Sequence, residues 1–217
     1  MGSLTKLPFS EIGATLEHLE RYGVMPEHFE LIRSRPGLDK QVAVAIAKIC
    51  GGTNESLAST FNLWRTIKLG TGLVTADDFR RALKAAGHHI GDWANDILGQ
   101  CAFTASTKET EVDLVVVSVS ELGFPNGATR QEIYRKAQKL GLMLCSPEVG
   151  PQLRLQYPDQ PLNQWLLIGM EPIAGSVGYL RVFSVGRLDD GSWLSSNFGD
   201  ADNFWDGDSL WVFVRGK

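Results

Sequence analysis

The stretch VDLVVVSV, residues 112–119, decides the fold class of this chain. Its β-branched and apolar residues are typical of a buried strand. Thr129 with Glu132 forms a capping-box pattern that predicts a helix over 130–140, ended by Gly141. Four more strand-like runs follow, at 152–157, 165–170, 179–185 and 210–215. We therefore expect an α+β fold in which a mostly antiparallel sheet packs with one or two helices.

The part of the chain before residue 100 has the apolar spacing of helices. Thr75 and Asp78 form a second capping-box pattern, for a helix that ends at Gly87, and Asp92 is expected to cap a short helix through residue 98. Helical spacing also covers the stretches 10–22, 38–50 and 54–67. We predict a helical region over 1–100, a small, polar linker over 101–111 and an α+β domain over 112–217, with a hairpin turn at Asp190-Gly191.

Composition limits the possible functions without choosing one. The 217 residues are 43% hydrophobic and 21% charged, which excludes a wholly disordered chain. No stretch is long and apolar enough for a membrane span and no secretory signal is visible, so we expect a cytoplasmic protein with no membrane contact. Three widely spaced cysteines form neither a disulfide nor a zinc pattern, and no motif indicates a cofactor. The net charge of −4 disfavours strong binding to duplex nucleic acid.

Three local patterns invite a ligand, and each has a plainer interpretation. The glycine-rich turn after Lys68 lacks the second Gly-Lys of a phosphate-binding loop. His88 and His89 are adjacent, so their side chains point apart on a regular element and do not chelate one ion. An acidic loop is a weak candidate for a cation, although its spacing differs from a calcium-binding loop, and an ordinary acidic loop is favoured. That loop carries Asp200, Asp202, Asp206 and Asp208.

Alternation along the predicted strands suggests a recognition surface. Side chains at i and i+2 share a face, so each of three runs would present one arginine beside polar or aromatic residues. Guanidinium groups bind carboxylate or phosphate, and aromatic rings stack on bases or sugars. We therefore expect a non-enzymatic module that binds a small polar or anionic ligand, a nucleotide or a protein. Its candidate residues are Arg154, Arg181, Arg215, Gln152, Tyr179 and Trp211.

Two other functions stay open at the level of sequence. A hydrolase or transferase could use the carboxylates of Glu148, Glu171 or Asp206, although no catalytic motif supports it. Cys145 is expected to be a buried thiol and not a nucleophile. The short helices within the first 50 residues could form a helical DNA-binding regulator, which the balanced charge argues against. The sequence leaves the oligomeric state and the partner open.

Three segments, 66–99, 121–142 and 145–173, resemble a family of uncharacterised bacterial proteins. The similarity extends from about Phe61 to the end of the chain. The resemblance implies a bacterial origin. It carries no assigned activity and transfers no catalytic residue.

Overall fold

Most of the run 112–119 forms β3, Thr110–Ser118. A computed structural model describes residues 61–216 of the chain. The other strands are β1 (Arg65–Leu69), β2 (His89–Ile90), β4 (Ala128–Thr129), β5 (Leu142–Met143), β6 (Trp165–Ile168), β7 (Ile173–Ala174), β8 (Leu180–Leu188), β9 (Gly191–Phe198), β10 (Phe204–Trp205) and β11 (Leu210–Arg215). The helices of this part of the chain are α1 (Ala76–Ala85), α2 (Asp92–Leu98), α3 (Arg130–Lys139) and α4 (Val149–Gln156).

One large mixed sheet organises these elements. Its strand order is β1-β3-β11-β6-β8-β9-β2, with β5 also beside β11 and β7 also beside β8, while β4 and β10 pair separately. Strand β11 is parallel to β6 and β2 is parallel to β9, and the other pairings are antiparallel. The coarser part of the fold prediction, a protein that combines helices with a sheet, is confirmed. The predicted hairpin is also confirmed, because Leu188 pairs with Gly191 across the turn between β8 and β9.

The two faces of the sheet follow from the strand register, because paired residues point to the same side. Trp211 of β11 pairs with Leu167 of β6, which pairs with Ser184 of β8. We call the face that bears these three residues the groove face. The alternating residues of the same strands, such as Phe183 of β8, point to the other side, which we call the helix face.

Three helices cover the helix face. The rings of Phe79 in α1 and Phe183 in β8 both pack edge-on against Phe103. Helix α4 comes so close that a Cβ on Gly150 would lie 2.7 Å from Cβ of Phe183. Helix α2 lies against β9. These contacts form a densely packed apolar layer, in which a change of volume at Phe183 is felt directly.

The groove face is covered in one part only. Tyr134 of α3 packs edge-on against Trp211 and Phe213 of β11, and its hydroxyl donates a 2.8 Å hydrogen bond to the carbonyl oxygen of Met170. Burial raises the pKa of the Tyr134 hydroxyl, because the phenolate form would lose its hydration. Helix α3 therefore closes the β11 side of this face, and the part over β6, β8 and β9 carries half-exposed polar residues.

Two helices begin at the predicted capping boxes. The Asp78 amide donates to Oγ1 of Thr75 at 3.2 Å, and the Thr75 amide donates to Oδ2 of Asp78 at 2.8 Å. Thr129 and Glu132 repeat this exchange at the start of α3. Hydrogen bonds from the threonine hydroxyls, with the cap amides, lower the pKa of both carboxyls. Helix α2 differs from the prediction, because Gly91 and not Asp92 occupies its cap position.

Two element predictions were wrong. The helix predicted over 54–67 is contradicted where the structure describes it, because 65–69 form β1 and pair with β3. The strand predicted over 152–157 is helix α4. Its apolar spacing fits both periods, and hydrogen bonds between side chains four residues apart fit the helix: Gln152 Nε2 donates to Glu148 and Gln156 Nε2 to Gln152.

The described residues belong to one unit, Leu57–Lys217. Strands β1 and β2 precede residue 101, yet both join the sheet that contains β3. The segment predicted as a linker, 101–111, connects α2 to this sheet and supplies the first residues of β3. Predictions for residues 1–60 lie outside the described part of the chain. Within residues 61–216, no helix is both long and apolar enough to cross a membrane.

Candidate functional site

A groove of about 510 Å³ lies over the uncovered part of the groove face. Strands β6 and β9 form its floor, and the chain around β10 and the start of β11 forms one wall. Its lining combines two indole rings with amide, hydroxyl and carboxylate side chains. The lining residues are Asn163, Gln164, Trp165, Leu167, Ser195, Asn197, Trp205, Asp208, Ser209 and Leu210.

The indole ring of Trp165 packs with its face against a glycine of the neighbouring strand. Trp165 of β6 pairs with Gly186 of β8. A Cβ built on Gly186 would lie 2.4–2.5 Å from three consecutive ring atoms, Cδ2, Cε3 and Cζ3, which places the glycine under the face of the ring. The absence of a side chain at Gly186 therefore fixes the height and tilt of the indole. Trp165 remains 37% exposed, so part of the ring is available to a ligand.

Trp205 supplies the second ring from the opposite wall. It packs edge-on against the buried Trp211, with 5.3 Å between the ring centroids, and Trp211 in turn contacts Tyr134 and Phe213. This chain of contacts anchors Trp205 to the core beneath α3. The Nε1 atoms of Trp205 and Trp211 are buried and have no hydrogen-bond partner among the residues that the structure describes.

Polar side chains of the groove offer both donors and acceptors. Asn197 donates from Nδ2 to Oγ of the buried Ser184 at 3.0 Å, which holds the side-chain amide, and its Oδ1 accepts from no residue in the described range 61–216. Asn163 has a φ of 63°, a left-handed conformation that asparagine tolerates better than most residues. Its backbone N–H donates to the carbonyl oxygen of Arg187. Within residues 61–216, the Asp208 carboxylate makes no hydrogen bond or ion pair and is exposed.

The described residues that line the groove carry one negative charge. Asp208 is the charged residue among those lining it, and lysine, arginine and histidine do not contribute. The stretch 189–208, which forms β9 and the chain beyond it, has six aspartates and no lysine or arginine. This environment disfavours a phosphate or carboxylate ligand and suits a neutral or cationic one.

Arg154 does not lie on the sheet. It lies on α4 and is fully buried, and its guanidinium donates to the carbonyl oxygens of Tyr157 and Gly186 and to Oε1 of Gln160. Burial lowers its pKa to about 10. The arginine binds the turn after α4 to the sheet, which is a structural role within the protein.

The predicted common face of arginines and aromatic residues is wrong. Trp211 and Arg215 alternate onto the groove face, whereas Arg181 and Phe183 point to the helix face. Relative register between strands decides this, and a shift of one residue reverses it. The structure does bring Tyr179 and Arg181 together, because the rings of Tyr179 and Phe198 make an edge contact and Arg181 lies over Phe198.

Gln152 and Glu148 are buried and connect two loops through side-chain hydrogen bonds. The Glu148 carboxylate accepts hydrogen bonds from the amides of Gly70 and Ser106, at 2.7 and 2.8 Å, and from Nε2 of Gln152 at 3.1 Å. Gln152 also donates to Oγ1 of Thr71 at 2.8 Å. The glycine-rich turn after Lys68 therefore presents its amide to a protein carboxylate. Satisfied amides of this kind stabilise the loop, and they leave Glu148 no free oxygen for acid–base work.

The remaining predicted groups do not form a catalytic or metal site. Glu171 lies beside α3, while Asp206 is exposed beyond β10. The aspartates of the acidic loop are not gathered for an ion: within residues 61–216, no three His, Cys, Asp or Glu side chains are placed to hold a metal. His89 stacks on Trp193 at 4.6 Å, and His88 is half-buried. Cys145 is buried, as predicted, and burial raises the pKa of its thiol.

Of the groove residues, the sequence-based prediction includes Asp208, as part of the acidic loop, but neither Trp165 nor Trp205. Trp165 and Trp205 are distant in the chain and meet because β11 pairs beside β6. The signal that could have found them is the density of tryptophan, serine and asparagine between 163 and 211. Comparisons with protein-family models, curated proteins and solved structures found no match for this chain. The resemblance to uncharacterised bacterial proteins therefore stays a prediction.

Proposed function

We propose that this protein is a binding module for neutral, hydroxyl-rich ligands of the saccharide class. The observation that carries the proposal is the groove itself, in which Trp165 and Trp205 stand beside amide, hydroxyl and carboxylate side chains. A sugar ring has an apolar face of C–H groups that packs on an indole. Its hydroxyls at the rim both donate and accept hydrogen bonds, which matches Asn163, Asn197 and Asp208.

The shape and charge of the groove support a saccharide over the other ligands we considered. A volume of about 510 Å³ accommodates two or three sugar rings, and small-ligand sites span roughly 300–1,000 Å³. The negative charge of Asp208 argues against a nucleotide or another anionic ligand in the groove. A quaternary ammonium would also suit two indoles and an aspartate, so choline serves as a comparison ligand.

The carboxylates near the groove support binding over hydrolysis. Glycoside hydrolysis requires two carboxyl groups about 5–9.5 Å apart on either side of the scissile bond. Among the described residues that line the groove, Asp208 supplies the carboxyl group, and Asp206 does not line it. Glu148 is engaged with loop amides and Glu171 lies beside α3. The proposal includes the prediction that the protein acts in the cytoplasm.

Calorimetric titration with neutral pentasaccharides tests the proposal. We would use cellopentaose, maltopentaose and chitopentaose, with choline as the cationic comparison. At least one saccharide is expected to bind with a Kd in the millimolar range or below, and Trp165→Ala and Trp205→Ala are each expected to weaken binding about tenfold, because each ring contributes roughly 0.5–1.5 kcal/mol beyond its buried area.

Trp93→Ala is the matched control. Trp93 has a similar exposure, 44% against 37% for Trp165, but it contacts Arg181 of the helix face. Its loss should leave saccharide affinity unchanged. Absence of heat from all three saccharides, or equal affinity in the Trp165 and Trp205 variants, would contradict the proposal, and saturable binding of choline only would replace the saccharide with a cation.

A further inference from the structure

Arg181 carries a nearly buried charge that has no anionic partner in contact with it within residues 61–216. Its side chain lies on the helix face near the start of β8, and the residue is 6% exposed. Its guanidinium carbon lies 4.2 Å from the ring centroid of Trp93 in α2 and 4.8 Å from that of Phe198 in β9. Phe198 is the direct cross-strand partner of Arg181, so the sheet register fixes this contact.

The N–H donors of this guanidinium are not used within residues 61–216. Nε is buried and has no hydrogen-bond partner, and neither terminal nitrogen donates to a described residue. Burial lowers the pKa of the Arg181 side chain, opposed by the charge of Asp96. Contact with aromatic rings offsets part of the cost of desolvation, by roughly 0.5–2 kcal/mol, but an aromatic face accepts no fork of hydrogen bonds.

Asp96 is near enough to act on Arg181 electrostatically, but within residues 61–216 it makes no hydrogen bond or ion pair with it and binds other donors. Oδ1 accepts from Nε2 of Gln100 at 2.9 Å, and Oδ2 accepts from the amide of Ser176 at 2.8 Å. The aspartate therefore leaves the guanidinium fork unfilled. It also makes the surroundings negative, which penalises a dianion such as phosphate more than a single carboxylate.

Exposed aromatic and apolar side chains surround the arginine. Trp93 is 44% exposed, Phe198 50% and Tyr179 57%. Large apolar side chains exposed together mark recognition surfaces more often than chance exposure does. Here they surround a planar donor group that matches the geometry of a carboxylate.

We propose that Arg181, Trp93, Phe198 and Tyr179 form a second site, which binds a carboxylate attached to an aromatic or apolar body. The two oxygens of the carboxylate accept from the guanidinium of Arg181, and the body packs on the exposed rings. This site lies on the helix face and is independent of the saccharide groove. The ligand is defined by this chemistry, whether it is a small aromatic acid or an aromatic residue at the carboxyl end of a peptide.

Three probes separate the parts of this ligand. Benzoate has both ring and carboxylate, benzyl alcohol has the ring, and acetate has the carboxylate. In NMR titrations that follow the Trp93 indole N–H, benzoate is expected to give a saturable shift with a millimolar Kd, and each of the other probes should bind at least about fivefold more weakly. Raising NaCl from about 50 mM to about 500 mM should weaken benzoate binding about twofold, since the site is partly screened.

Arg181→Lys keeps the charge but removes the planar fork, and it is expected to weaken benzoate binding about tenfold. Arg215→Lys, on the groove face, is the matched control and should leave the affinity unchanged. Because Arg181 is nearly buried, Trp93→Leu on the surface of α2 provides a second variant, with an expected loss of about fivefold that the Phe198 resonances can follow.

Three results would overturn the proposal. The first is a benzoate shift that never saturates, and the second is an equal response to benzyl alcohol. The third is unchanged benzoate affinity in Trp93→Leu, or in Arg181→Lys if that variant folds. If a peptide ending in phenylalanine binds far more tightly than benzoate, and its amidated form does not bind, the ligand is the carboxyl terminus of a peptide. This result would support the proposal and identify the source of the carboxylate.

Discussion

The two faces of β8 and β9 carry different chemistry on the same backbone. On the helix face, Phe183 and Leu194 are completely buried beneath helices. On the groove face, Ser195 and Asn197 of the same hairpin remain partly exposed and polar. Alternation with a period of two allows one strand pair to hold the core with one set of side chains and to recognise a ligand with the other. The contrast predicts that substitutions separate cleanly by face.

The largest effect is expected from Phe183→Ala. The side chain is fully buried between α4 and the Phe103 ring, so its loss should lower the free energy of unfolding by about 3–5 kcal/mol. Ser195→Ala, on the opposite face of the paired strand, should change it by less than about 0.5 kcal/mol. Urea unfolding of both variants measures the difference. Similar values at the two positions would break the distinction between the faces.

The next effect concerns the contact between Gly186 and Trp165. Gly186→Ala places a methyl group where it clashes with the indole ring of Trp165. We expect this clash to lower the free energy of unfolding by about 1–3 kcal/mol and to shift the tryptophan fluorescence. The control is the same substitution in a Trp165→Ala background, where the ring is gone. The cost should then fall below about 0.5 kcal/mol, and a cost that persists would show that the glycine serves the backbone and not the ring.

A smaller effect is expected when a charge is removed from one face only, because the two sites have different electrostatic surroundings. Asp96→Asn removes a negative charge near Arg181 and is expected to strengthen benzoate binding about two- to fivefold, the range of an exposed charge pair. The same variant should leave saccharide affinity unchanged, because Asp96 does not line the groove. Calorimetry with both ligands measures the two effects. A parallel change in both would mean that the sites are coupled.

The smallest effect is a dependence of stability on acid pH. The amide of Ser176 donates to Asp96 and lowers the pKa of its carboxyl below the ordinary 3.8. The unfolded chain therefore binds the proton first as the pH falls, so this contribution is present above about pH 4 and lost as the pH passes through the lowered pKa. Between about pH 5 and pH 2, the wild-type Tm should fall more than that of Asp96→Asn, by under about 3 °C. Equal falls would exclude this contribution.

Local patterns predicted the elements whose determinants are local. Both capping boxes start helices because Thr75 and Thr129 satisfy amides within three residues of themselves. Helix α4 was missed because 149–156 fits either period, and contacts with distant loops through Glu148 and Gln152 decide for the helix. The local sequence pattern gives no information about such long-range contacts.

Neither site could be assembled from the sequence, because each depends on the phase of one strand against another. Arg181 and Trp211 were assigned to one face by counting within each strand, and the register through β6 places them on opposite faces. The same register brings Trp165 beside Gly186. Residue types that bind ligands were recognised, but their grouping required the pairing partners of β6, β8 and β11.

The position of β11 has a consequence for how the protein forms during synthesis. Residues 210–215 come last among the described elements, yet they lie between β3 and β6 in the middle of the sheet. Until these residues leave the ribosome, the edges of β3 and β6 that face β11 in the folded protein are unpaired. The two parts of the sheet then expose unsatisfied backbone N–H and C=O groups. Such long-range closure is slow, and the waiting edges are where a nascent chain would recruit a chaperone or pair with another copy.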